Sequence, residues 1–126
     1  MAITYEFWVR NLIEAAADIS NAERQAQRWI APDAAAWERP AELLCVLLDD
    51  MNFELFIEQN PERLSEVQLR AATEFAQAAL SFDCGPDGWR DPHDVLRDPA
   101  WEGVQMKGRA FESAFVRELG QSSERR

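Results

Sequence analysis

Apolar residues recur at helical spacing along most of the chain. Behind Thr4, which can cap a helix, Tyr5, Trp8, Leu12, Ala15 or Ala16 and Ile19 fall three or four apart. Phe7 and Ile13 widen this stripe, so the first helix is expected to be covered on two sides. Ser20-Asn21-Ala22-Glu23 has the form of a capping box. It either opens a second helix or lies inside one long helix. Ala22, Ala26 and Trp29/Ile30 carry the apolar face to about Trp29, and Pro32 is expected to end it. Residues 31–39, APDAAAWER, form the first connection, with Trp37 read as a lid over the core or as a contact residue.

Residues 40–60, PAELLCVLLDDMNFELFIEQN, are the most apolar stretch and suggest the central helix. Pro40 suits a first helical turn. Leu43, Leu44, Val46, Leu47 and Leu48 are expected to be buried, because leaving them all wet would cost several kcal/mol. Cys45 reads as a small core residue. Asn52 can close this helix in a left-handed conformation. Alternatively the helix continues to Gln59, with Asn60 and Pro61 as its stop.

Ser65-Glu66-Val67-Gln68 is a second capping box. The helix behind it carries Val67, Ala71, Phe75, Ala78 or Ala79 and Phe82 along one side, and Leu69, Ala72, Ala76 and Leu80 along another. Its alanines permit close packing. A loop, DCGPDGWRD, follows at 83–91. Asp91-Pro92 and Asp98-Pro99 each place a capping acid before a first-turn proline. The first opens a short turn to Arg97. The second opens a helix with Trp101, Val104, Gly108, Phe111, Phe115 and Leu119 on one face, expected to stop at Gly120. The fold expected is all-α: a single-domain antiparallel bundle of four to five helices over residues 1–120, with a polar tail at 121–126.

Charge changes the picture more than composition does. Twenty-three acidic residues face 13 basic ones, for a net charge of -10, which argues against a nucleic-acid-binding surface. The excess is uneven. Asp33 to Glu62 holds eight acids and one arginine, Asp83 to Glu102 holds six acids and two arginines, and residues 103–126 are net basic. Such a surface serves solubility or a basic partner. Two cysteines, Cys45 and Cys84, make no disulfide framework and suit a reducing compartment. MAITYEFWVR has no basic region followed by a long apolar one, so no secretory leader is expected, and no apolar run could span a membrane. The location expected is cytoplasmic.

Candidate chemistry is sparse. His93, the single histidine, lacks a recognisable nucleophile and reads as a surface residue of a helix first turn. Asp83, Asp87, Gly88 and Asp94 fall at the first, fifth, sixth and twelfth places of a calcium-loop pattern, but Gly85 and Asp94 stand where other ligands are needed. Neither a metal nor a cofactor is expected. Asp49 and Asp50 point about 100° apart on a helix, so they cannot readily share a ligand. They can instead pair with Arg10, Arg24 or Arg28, or wait for a partner. Acids interspersed with aromatics suit an interface to a basic protein, with aromatics as anchors and charges for steering. The residues expected to bind a partner are Asp49, Asp50, Glu54, Asp83, Asp87, Trp89, Asp91, Asp94 and Trp37.

From Arg39 to Phe115 the chain resembles small acidic immunity proteins of bacterial polymorphic-toxin and contact-dependent growth-inhibition systems. The resemblance rests on Leu48-Asp49-Asp50, Asp98-Pro99, Trp101 and Val104. It implies a cytoplasmic, non-enzymatic inhibitor, monomeric when free, that binds its cognate toxin domain one-to-one. Toxins of such systems are often nucleases, whose basic grooves would match the acidic charge. The alternatives are a small acidic regulatory or scaffold domain and, last, a metal-dependent hydrolase using Asp49, Asp50, Asp83 or His93.

Overall fold

The computed structural model describes the backbone of residues 4–30, 40–88 and 90–124, and their side chains apart from Ile30, Asp87 and 117–124. Its helices are α1 (Tyr5–Ser20), α2 (Ala22–Ile30), α3 (Pro40–Cys45), α4 (Phe53–Gln59), α5 (Glu66–Ser81), α6 (Pro92–Arg97) and α7 (Pro99–Glu124). A π-helical turn, Val46–Asp50, extends α3, and Pro86–Gly88 form a 3-10 turn. Among the described residues there is no strand, so the all-α expectation holds. The segments outnumber the four or five expected because the 40–60 stretch is divided in two and α6 stands alone.

The centre of the bundle is α7 rather than the 40–60 stretch. Ser20 at the end of α1 hydrogen-bonds the Gln105 carbonyl early in α7, while Tyr5 stacks on Phe56, which lies against Phe115 late in α7. Gln68 at the start of α5 donates to the Ala114 carbonyl, and Phe82 after its end meets Trp101. Both α1 and α5 therefore run antiparallel to α7. Trp101, Val104, Gly108, Phe111 and Phe115 all face inward, as their spacing predicts. A Cβ at Gly108 would lie 2.5 Å from Ser20 Oγ and 3.3 Å from the Phe75 ring, so a hydrogen is what lets the three helices close together. Gly120 does not stop α7, whose backbone continues to Glu124.

A buried amide ties α2 to this centre. Gln25 Oε1 accepts from Trp101 Nε1 at 3.0 Å and from Gln105 Nε2 at 2.9 Å. Gln25 Nε2 donates to the Asp18 and Ile19 carbonyls at the end of α1. This buries a polar side chain with its partners supplied, which is the condition for tolerating it in a core.

Local signals were met to different degrees. Thr4 caps α1, and Ser65 with Gln68 completes the reciprocal capping box of α5. The first box is different: Asn21, not Ser20, accepts from Arg24 N–H, because the Ser20 hydroxyl turns to α7. Phe7 is 57 % exposed, whereas Ile13 is half-buried against the core, so the wider stripe expected of α1 is covered only on the Ile13 side. Val67 and Leu80 of α5 are also exposed, and the buried face runs through Ala72, Phe75, Ala76 and Ala79. Pro32 and Trp37, and Trp89 of the loop, lie outside the described residues.

Candidate functional site

The 40–60 stretch buries less than its composition promised. Leu44 and Leu47 are in the core, Leu43 and Leu48 are half-buried, and Cys45 and Val46 face solvent. A helix shows only one stripe to its neighbours, so a run of adjacent apolar residues cannot all be covered by one packing face. The run then ends on two acids, which oppose the negative end of the helix dipole. The chain widens there into the π turn, closed by the Met51 N–H donating to the Val46 carbonyl at 2.8 Å. Trp8 Nε1 donates to the Met51 carbonyl at 2.6 Å and pins this turn to α1. Asn52, at φ 50°, turns the backbone through the left-handed region, and α4 restarts with Phe53 and Phe56 fully buried. Asn52 thus closes the first helix in the left-handed conformation, and the continuous helix to Gln59 is not formed: a separate helix covers Phe53–Gln59.

This rebuilt segment holds its acids outward. Asp49, Asp50, Glu54 and Glu58 are exposed, and none of them has an ion-pair partner among the described residues. Arg24, one of the arginines considered for Asp49 and Asp50, pairs with Asp18 instead. Asp49 accepts from the Cys45 thiol at 3.2 Å. That hydrogen bond, some loss of hydration, and the fields of Asp49, Asp50 and Glu42 push the thiol's pKa up. Cys45 is therefore neither a core residue nor an activated nucleophile, since the thiolate is the reactive form.

Beside these acids a groove of about 450 Å³ opens between α4 and α5. Glu54, Ile57 and Glu58 line one wall, Thr73, Gln77 and Leu80 the other, and Ala76 contributes from below. Leu80 is 53 % exposed there. Of this set only Glu54 was singled out from sequence. The readable part was Glu54 and Glu58 four apart on one helical face.

The second acidic stretch is organised differently. Asp83 Oδ1 accepts from Gly85 N–H at 2.8 Å, and Gly85 and Gly88 take the positive φ of the loop. Asp91 caps α6 through His93 N–H and also lies 3.1 Å from His93 Nδ1. Asp98 caps α7 through Ala100 N–H and pairs with Arg90 at 2.9 Å. Arg90 also donates to the Asp83 carbonyl and lies over the Phe82 ring. The N–H and side chain of His93 hold the Asp91 carboxyl below its usual range, and the Ala100 N–H and Arg90 do the same for Asp98. Asp94 is exposed in the first turn of α6.

The structure thus gathers Asp49, Asp50 and Glu54 in one segment, and Asp83, Asp91 and Asp94 around a loop that Arg90 straps. The side chain of Asp87, like Trp37 and Trp89, falls outside the described residues. Among the described residues no three His, Cys, Asp or Glu side chains come together as a metal site, and both cysteines are free. Burial, helped by Asp83, pushes the Cys84 thiol up against the opposing pull of Arg90. No helix among the described residues is long and apolar enough to cross a membrane. The chain matches no protein-family model, no curated protein and no solved structure.

Proposed function

We propose that this chain is a non-catalytic binding protein of the immunity type, which neutralises a basic toxin domain, foremost a nuclease, by docking through its acidic face. The observation that carries the reading is the segment Asp49–Glu58, whose four carboxylates stand in solvent without a cation among the described residues. Like charges kept close together without partners destabilise the free fold slightly. A cationic surface relieves that repulsion, and long-range attraction speeds encounter. The carboxylates would sit where a nuclease holds phosphates. Trp37 and Trp89 would add aromatic anchors, and Asp83, Asp87, Asp91 and Asp94 a second acidic edge.

The test is to mix the protein with a basic toxin domain found encoded beside it. A one-to-one complex on gel filtration and loss of the toxin's activity are expected. Absence of association would sink the proposal. Reversing Asp49 and Asp50 to Lys should slow association and flatten its dependence on salt.

A further inference from the structure

The acids alone do not define how a partner would sit, but the α4/α5 groove does. We infer that this groove receives a basic amphipathic helix of the partner protein. The inference deepens the binding role proposed above and rests on it.

Three features of the groove converge. Its apolar part is accessible: Leu80 is 53 % exposed at the rim, Ile57 is half-buried, and Ala76 lies below, so a partner's apolar side chain would find contact without displacing the core. Its α4 wall is acidic, with Glu54 and Glu58 one turn apart. Glu58 sits in the last turn of α4, where a negative charge opposes the dipole, and that turn carries no basic residue. The one base of α5, Arg70, lies outside the groove lining and its field falls on Glu74, which Lys107 already pairs at 2.8 Å.

Geometry favours a helix as the occupant. Two neighbouring helices leave a trough between them into which the ridge of a third can pack. The seven residues of α4 make a trough wall about 10 Å long, enough for roughly two turns of a partner. An apolar stripe on that helix would meet Leu80 and Ile57. Lysines or arginines one turn apart on its flank would meet Glu54 and Glu58. An acidic or neutral helix would leave both glutamates uncompensated, so the site selects by charge as well as by shape.

The probe is a synthetic helix of about 18 residues built from Leu and Lys, with a Leu/Glu peptide of the same pattern as control. Backbone amide shifts should move at Ile57, Thr73 and Gln77 with the Leu/Lys peptide and not with the control. The variants E54K/E58K and Leu80→Ser should each weaken binding about tenfold or more, while Glu14→Gln, exposed on α1, should not. Shifts centred on residues 42–50 or 91–102, equal binding of the control, no binding at all, or undiminished binding by E54K/E58K would each overturn the inference. Both variants change exposed side chains, and circular dichroism checks that they stay folded. If the toxin domain binds but is indifferent to both variants, the groove is wrong and the immunity role stands. If the Leu/Lys peptide fills the groove while the toxin domain fails to bind, the groove stands and that role is wrong.

Discussion

Asp49, Asp50, Glu54 and Glu58 stand in solvent with no cation among the described residues, whereas Asp83, Asp91 and Asp98 have been taken up by their own loop. Both stretches are rich in acid and poor in base. They differ in where each carboxylate falls relative to the ends of a helix. Asp91 and Asp98 each precede a proline and a free helical N-terminus, whose unpaired N–H groups and positive dipole end attract a carboxylate. Asp49 and Asp50 come at the end of a helical run, where the exposed groups are carbonyls that repel them. Asp91 and Asp98, placed just ahead of a helix, are absorbed as its caps; Asp49 and Asp50, at a helix end, are left for something else. The first stretch is therefore the better docking edge, and the second mainly holds α6, α7 and the loop in place.

The comparison can be broken by substitution. Arg90→Ala should have the largest effect on stability, about 1–2 kcal/mol, because it removes the partner of Asp98, the donor to the Asp83 carbonyl and the contact with Phe82. Urea denaturation measures it, and an unchanged midpoint would mean that the strap is decorative. Asp98→Ala should cost about 1 kcal/mol by removing the cap of α7, with a visible loss of helix signal on heating. Asp91→Ala should cost less, since α6 is short. A fall in its melting temperature as large as that of Asp98→Ala would show that α6 matters more than its length suggests.

The acid limb sharpens the same point. Both carboxyls are held below the ordinary aspartate value of 3.8. Their stabilisation is thus fully present above that value and is lost as pH falls through the lowered pKa. In D91N/D98N the asparagines still cap but carry no charge, so neutral stability should fall modestly while the further loss of stability below about pH 4 becomes shallower. An identical acid limb would assign acid unfolding to other carboxylates. The smallest effect is expected at Asp50→Asn and Glu58→Gln, within about 0.5 kcal/mol and toward stabilisation. A clear loss in chemical denaturation would show that these acids hold the fold after all.

Much of the architecture was readable in the chain, because caps and helical periodicity are local. Thr4, Ser65 with Gln68, Asp91-Pro92 and Asp98-Pro99 act where their short-range chemistry places them, and the inward stripe of α7 follows its spacing from Trp101 to Phe115. The hydrophobic density of 40–60 misled, because density reports total apolar content and not which side of a helix is covered. Cys45 and Val46 were misplaced for that reason. The acidic character of the candidate surface was legible in the same way. The groove was not, because its walls come from two helices, and only their packing decides that Leu80 stays at a rim while Ala76 goes beneath it.

The amino-acid sequence by itself determined an acidic all-α chain, most of its helix starts and the buried stripe of α7, since these depend on neighbours within one or two turns. Tertiary structure alone decided that α7 is the centre, that Gln25 is buried with Trp101 and Gln105, and that the 40–60 stretch breaks at a π turn held by Trp8. Those outcomes join residues far apart in the chain, and their energies exist only once the partners have met.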